Sequence, residues 1–140
     1  LTLHLAQLLL RAGDHRFAPL VSRVADLASP TGQWPEAIHP HTLGGCMGDG
    51  QHAWAAAEWV LMVKNCFVRE ERDRLYLAAG VLPEWLAPSR ELKIGPVHTA
   101  FGPVTLSLAP EANGWRIRWD ASWRTAPRSI EAALPGHIPL

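Results

Sequence analysis

The sequence is short of cysteine, of net charge and of long apolar runs, and each shortage excludes something. Its two cysteines, Cys46 and Cys66, are too few for a disulfide framework. A single bridge stays open, but low cysteine content favours a reducing, cytoplasmic compartment without fixing one. Thirteen Lys and Arg balance thirteen Asp and Glu, so no broad field invites nucleic acid or an anionic membrane surface. Arg116, Arg118, Arg124 and Arg128 are the local exception and read as solvated strand positions. No apolar run approaches the ~20 residues of a membrane span, and no signal peptide is visible. Internal repeats and low-complexity segments are absent as well. The opening "LTLHLAQLLLRAG" starts in mid-run, with neither Met nor a capping residue before it. It reads as a fragment, and a leader could belong to the missing part.

What is present is globular. Hydrophobic residues make up 48% of the chain and charged ones 19%, enough for one ordinary domain or a piece of a larger one. The first segment, about Leu3 to Ala12, is apolar around most of a helical circumference and stops at Gly13. The second begins near Ala18, with Pro19 in its first turn, and puts Leu20, Val21, Val24, Leu27 and Ala28 on one stripe. A third helix, from an N-cap at Asp49 to about Asn65, is apolar almost all round and is expected to be deeply buried. "RLYLAAG" suits a strand or an extended arm, and "LPEWLA" a single helical turn. From Leu92 the period changes to two. "ELKI", "VTLSL", "WRIRWDASW" and "SIEAAL" alternate as half-buried strands, with a hairpin turn at "PEANG". The expected class is therefore α+β: a helical part over residues 1–88 and an antiparallel β-sheet region over residues 89–140. Three helices that each want several neighbours cannot satisfy one another, so further helices are expected from the remainder of a parent chain or from a partner.

Between the second and third helices lies "GQWPEAIHPHTLGGCMGDGQHAW", where polar chemistry is concentrated. Glu36 follows Trp34 and Pro35, and the proline stiffens the approach. A carboxylate held beside a water and a ligand can act as a general base, and a tryptophan next to it can stack on a sugar ring. The plainer alternative is a surface glutamate beside a core tryptophan. His39, His41, Cys46, Asp49 and His52 are all metal-ligand types, but their spacing fits no standard zinc pattern. No metal or cofactor is therefore expected. "GDGQHAW" offers free N–H groups at a helix start but lacks the Lys-Ser/Thr of a phosphate loop. Gln51 and His52, in the first turn, could point toward Glu36. Glu58 reads as a paired structural carboxylate, the C-terminal tryptophans as core, and Asp120 as a turn residue.

"WPEAIHPHTLGGCMGDGQHAWAAAEWV" resembles the last hairpin of six-hairpin, (α/α)6-barrel glycoside hydrolases of the glucoamylase, trehalase and glycogen-debranching kind. "HPHTLGG" is similar to their "NP-x-TG" turn and "QHAWAAAEW" to their "QAW-S-x-AE". The resemblance spans about Ser29 to Leu61, and "IEAALPG" looks like a closing strand of their accessory sheets. It implies that the chain is a C-terminal fragment: the terminal helical hairpins of such a barrel, followed by a small antiparallel β region. It also implies Glu36 as the general base of an inverting reaction on a carbohydrate substrate. Trp34, His39, Gln51, His52 and Trp54 would line the sugar site. The loop is longer here than in debranching-type members, and Cys46 sits farther from Trp54 than their Cys from its Trp. Such enzymes take their acid from an upstream hairpin, so this chain alone is expected not to turn over substrate. A non-catalytic carbohydrate-binding or structural module, and a small metal-binding domain, are the rival readings.

Overall fold

The computed structural model describes residues 1–48, 50–86 and 89–136, and the chain divides into two units, Leu1–Val63 and Lys64–Leu140. The first unit opens with α1 (Thr2–Arg11) and α2 (Phe17–Asp26), which pack on each other. Leu3, Ala6 and Leu10 of α1 and Phe17 and Val21 of α2 are buried at near-helical spacing. The link between them is fixed locally. Asp14 accepts hydrogen bonds from both the backbone and the guanidinium of Arg16. Those bonds hold the Asp14 carboxyl down at about 2.

The long loop is more ordered than its composition suggests. Ala37–Ile38 (β1) and Gly45–Met47 (β2) form a small antiparallel ladder inside it. α3 follows (Ala53–Phe67). Asp49, expected as its N-cap, lies outside the described residues. Only the C-terminal part of α3 is deeply buried. Met62, Cys66 and Phe67 are shielded, whereas Trp54, Val60 and Leu61 are exposed at 42%, 67% and 44%. Leu5 and Leu8 of α1 are exposed too. The expectation of three helices buried on several sides is therefore corrected.

The second unit holds the remaining strands. β3 (Val68–Glu71) and β4 (Arg74–Leu77) form a tight hairpin, and β8 (Ser129–Ala132) joins β4 in parallel. The region is thus not purely antiparallel. A 3-10 turn occupies Pro83–Trp85, and its Trp85 stacks on Phe67. β5 (Leu92–Thr99), β6 (Gly102–Glu111) and β7 (Gly114–Ala121) form an antiparallel meander. Val104, Leu106 and Leu108 are fully or almost fully buried along one face of β6, each side chain worth roughly 1.5–3 kcal/mol. On β7, Ile117 and Trp119 stand opposite Leu108 and Leu106. Trp119 is nevertheless exposed rather than core, and Asp120 lies in β7, not in a turn. Arg69 is a buried charge in this unit. Its Nε lies 2.8 Å from a Glu71 carboxylate oxygen and its guanidinium 4.7 Å from the centre of the Tyr76 ring, the partners a buried cation requires.

The described residues form three α-helices and eight strands in three sheets. This is a small α+β fold, not the terminal hairpins of an (α/α)6 barrel. The helical period of the apolar residues was legible. The barrel implied by the resemblance is overturned by the three-sheet fold, and Leu5, Leu8, Val60 and Leu61 leave apolar surface open on α1 and α3.

Two predictions follow from the packing of the second unit. Gly102 has φ +134°, and a β-carbon there would drive into the Ser122 carbonyl oxygen. Gly102→Ala is expected to cost at least about 1–3 kcal/mol from the backbone conformation alone, read as a lower urea midpoint. Cys66 is buried, and burial pushes its thiol up to about 12, only partly offset by the nearby Arg69 charge. The folded-state value lies above the unfolded one, so this contribution to stability is complete below about 9 and is lost as pH rises toward about 12. Iodoacetamide should label only the exposed Cys46 in the native chain, and Cys66 only after denaturation.

Candidate functional site

Trp34 is the fixed point of the site. It is buried, with 7% of its surface exposed. Its indole Nε1 donates to the Val24 carbonyl of α2 at 2.8 Å, and its own carbonyl accepts from the His52 N–H at 2.9 Å. Its ring lies 5.2 Å from that of Trp59 on α3. The loop is thus tied to α2 on one side and to the residue preceding α3 on the other. Pro35 follows, and Glu36 is the next side chain free to leave the backbone.

Glu36 meets His52. The imidazole Nε2 lies 3.4 Å from a Glu36 carboxylate oxygen, and the pair is only partly shielded. Among the described residues no group bonds the buried Nδ1 of the same ring. Gly48 makes the closeness possible. It has φ +70°, and a β-carbon there would lie 2.8 Å from His52 Cδ2 and 3.1 Å from Glu36 Cβ. Glycine is needed at this point both for the left-handed backbone and for the space.

Glu36 stands on the wall of a cavity of about 720 Å³ inside the first unit, a size ordinary for small-molecule sites. Apolar residues from α1, α2, the loop and α3 line most of it, including Leu3, Val24, Ile38 and Met47. Trp34 and Trp54 contribute indole surface, and His4, Arg23, Glu36 and Glu58 the charged or ionisable groups. Trp54 is 42% exposed, so its ring is available to a ligand in a way that the anchored Trp34 is not. It is held by His4, ring centres 5.3 Å apart, and by the edge of His52 at 6.2 Å.

Of the six residues assigned to the site from sequence, Trp34, Glu36 and Trp54 share this cavity; His52 does not line it but stands against Glu36. His39 does not line it. Its Nδ1 accepts the backbone N–H groups of His41 and Thr42 at 3.2 Å, which makes it a turn-former. Gln51 is exposed and also absent from the lining. Among the described residues no three His, Cys, Asp or Glu side chains come together as metal ligands. His39 and His41 have their rings 5.7 Å apart, and Cys46 is exposed and free.

Glu58 reads from the sequence as a paired structural carboxylate. It lies on α3, lines the same cavity as Glu36, and has His4 Nε2 at 3.5 Å from its carboxylate. Trp54 and Glu58 are four apart in a helix and therefore share a face.

No family model, no curated protein and no solved structure matches the chain significantly. The resemblance to six-hairpin glycoside hydrolases is thus unsupported by any relative, and the fold contradicts it. A Gly-rich polar loop running into an aromatic-led helix is a local pattern, and here it sits in a different architecture.

The tight packing at Gly48 gives a paired test. Gly48→Ala should displace the His52 ring and shift the His52 and Trp54 side-chain resonances in NMR spectra. Gly50→Ala, where a β-carbon meets nothing within 4 Å, should leave them in place.

Proposed function

We propose that the first unit carries a carbohydrate-binding cleft in which Glu36 acts as a general base on a glycosidic bond. The observation that carries this reading is the Glu36 carboxylate on the wall of an indole-lined cavity, with His52 against one of its oxygens. A sugar ring has an apolar face and a rim of hydroxyls. The exposed Trp54 ring suits the first, and Glu36, Glu58, His4 and Arg23 offer acceptors and donors for the second.

In the proposed step Glu36 takes a proton from a water that attacks the anomeric carbon with inversion, as the C–O bond to the leaving oxygen breaks and that oxygen takes up a proton and departs as an alcohol. A carboxylate serves there only if its direction is fixed, and His52 restrains it. His52 is itself set by its backbone bond to Trp34. A carbohydrate-binding module without catalysis would use the same cleft and differ only in lacking turnover.

Binding is measured through tryptophan fluorescence with a panel of oligosaccharides, and turnover by release of reducing ends and of nitrophenol from aryl glycosides. Trp54→Ala should weaken sugar binding about tenfold. Glu36→Gln should leave neutral-sugar binding within about twofold and lower kcat by about 10²–10⁴-fold. Unchanged turnover in that variant removes Glu36 from the chemistry. Binding with no turnover in the wild type leaves the non-catalytic reading. No binding at all defeats the carbohydrate assignment.

A further inference from the structure

Among the described residues the cleft contains two carboxylates, and they are held in the same way. Glu36 comes from the loop and Glu58 from α3; both line the one cavity, and each has an imidazole Nε2 beside a carboxylate oxygen, at 3.4 and 3.5 Å. Glu58 is the better shielded of the two, its side chain 20% exposed against 37% for Glu36. Its histidine also packs on Trp54, so the group offered to a sugar face and the second carboxylate are positioned by one side chain, His4 of α1.

We propose that Glu58 is the acid partner of Glu36, the group that protonates the leaving oxygen. This rests on the reading of the cleft as a glycosidic site, and it places both carboxyl groups of that site within this chain. Cleavage of a glycosidic bond between two carboxyl groups needs one protonated and one ionised. The Glu58 carboxyl gives its proton to the glycosidic oxygen as the C–O bond breaks, and the bonding pair stays with that oxygen. Water adds to the anomeric carbon and gives up a proton to the Glu36 carboxylate. The products are a free sugar and an alcohol, and exchange with solvent returns the proton from Glu36 to Glu58. Trp54 and Glu58, four residues apart on one helix face, would put the ring and its leaving oxygen in register. Among the described residues the ionisable side chains lining the cavity are His4, Arg23 and Glu36 besides Glu58 itself; His52 contacts Glu36 but is not part of the lining.

The test compares wild type, Glu36→Gln and Glu58→Gln in two assays, with circular dichroism confirming that each variant is folded. The first assay titrates imino sugars of gluco, galacto and manno configuration against the corresponding neutral sugars. A cation seated between two carboxylates binds more tightly than its neutral counterpart, and each Glu→Gln change should remove about tenfold of that preference. The second follows aryl glycosides of graded leaving-group acidity. Glu58→Gln should lose turnover steeply on poor leaving groups and little on good ones. Glu36→Gln should slow all of them alike. If Glu58→Gln keeps both the cation preference and the wild-type leaving-group dependence while Glu36→Gln loses turnover, the assignment of Glu58 fails and that of Glu36 stands. A wild-type chain that binds sugars but hydrolyses no aryl glycoside overturns the proton-transfer step. One that binds neither class of sugar overturns the reading of the cleft together with it.

Discussion

The site depends on how Trp34 is held. A buried indole with its N–H on the Val24 carbonyl and its own carbonyl on the His52 amide connects α2, the loop and the entrance to α3 through a single residue. Each bond is worth only about 1 kcal/mol net. Their consequence is geometric. They fix both ends of the segment that carries Glu36, and Pro35 removes most of the freedom in between. Gly48 then lets the loop fold down on Glu36 and His52. Replacing the Trp34 anchor would therefore be felt at Glu36, two residues away.

Neither carboxylate–imidazole pair stabilises the fold much. Both are partly open to solvent, and exposed ion pairs contribute roughly 0–1 kcal/mol. What such a pair does supply is orientation, since a glutamate held at one oxygen loses much of its rotamer freedom. Glu36 and Glu58 thus stand on the wall of one largely apolar cavity with one imidazole beside each. Arg69 differs: that buried cation is enclosed by Glu71 and Tyr76, the partners a charge needs when it is taken out of water.

Much of the local structure was legible in the sequence. The three helices, the turn at Pro83–Trp85 and the strands from Leu92 onward follow from period and turn chemistry, and the structure places Glu36 of "WPE" on a cavity wall. The barrel implied by the resemblance is not the fold observed, because a Gly-rich loop running into an aromatic-led helix is a local pattern that fixes no tertiary architecture. Apolar residues all round α1 and α3 suggest burial on every side, but Leu5, Leu8, Val60 and Leu61 remain exposed, and an apolar residue shows only that burial is favourable. His39 was equally ambiguous: histidine beside a glycine-rich turn is a ligand type, but its Nδ1 also makes a good acceptor for the turn's own amides. The parallel pairing of β8 with β4 joins segments more than fifty residues apart, and alternation within either strand holds no information about it.

Glu58 shows where sequence and structure divide the work. The spacing of Trp54 and Glu58 guarantees a shared helix face whatever the tertiary fold. It cannot say which way that face points. That is decided by His4, which arrives from α1 to touch both the Trp54 ring and the Glu58 carboxylate, while Trp59, the next residue along α3, turns to Trp34. Adjacent positions on one helix thus serve two purposes. Trp59 secures the loop that carries the first carboxylate, and Glu58 presents the second. A helix with one residue of drift between those positions would keep its hydrophobic pattern and lose the pairing, so the cleft depends on the rotation of α3 more than on the composition of the loop.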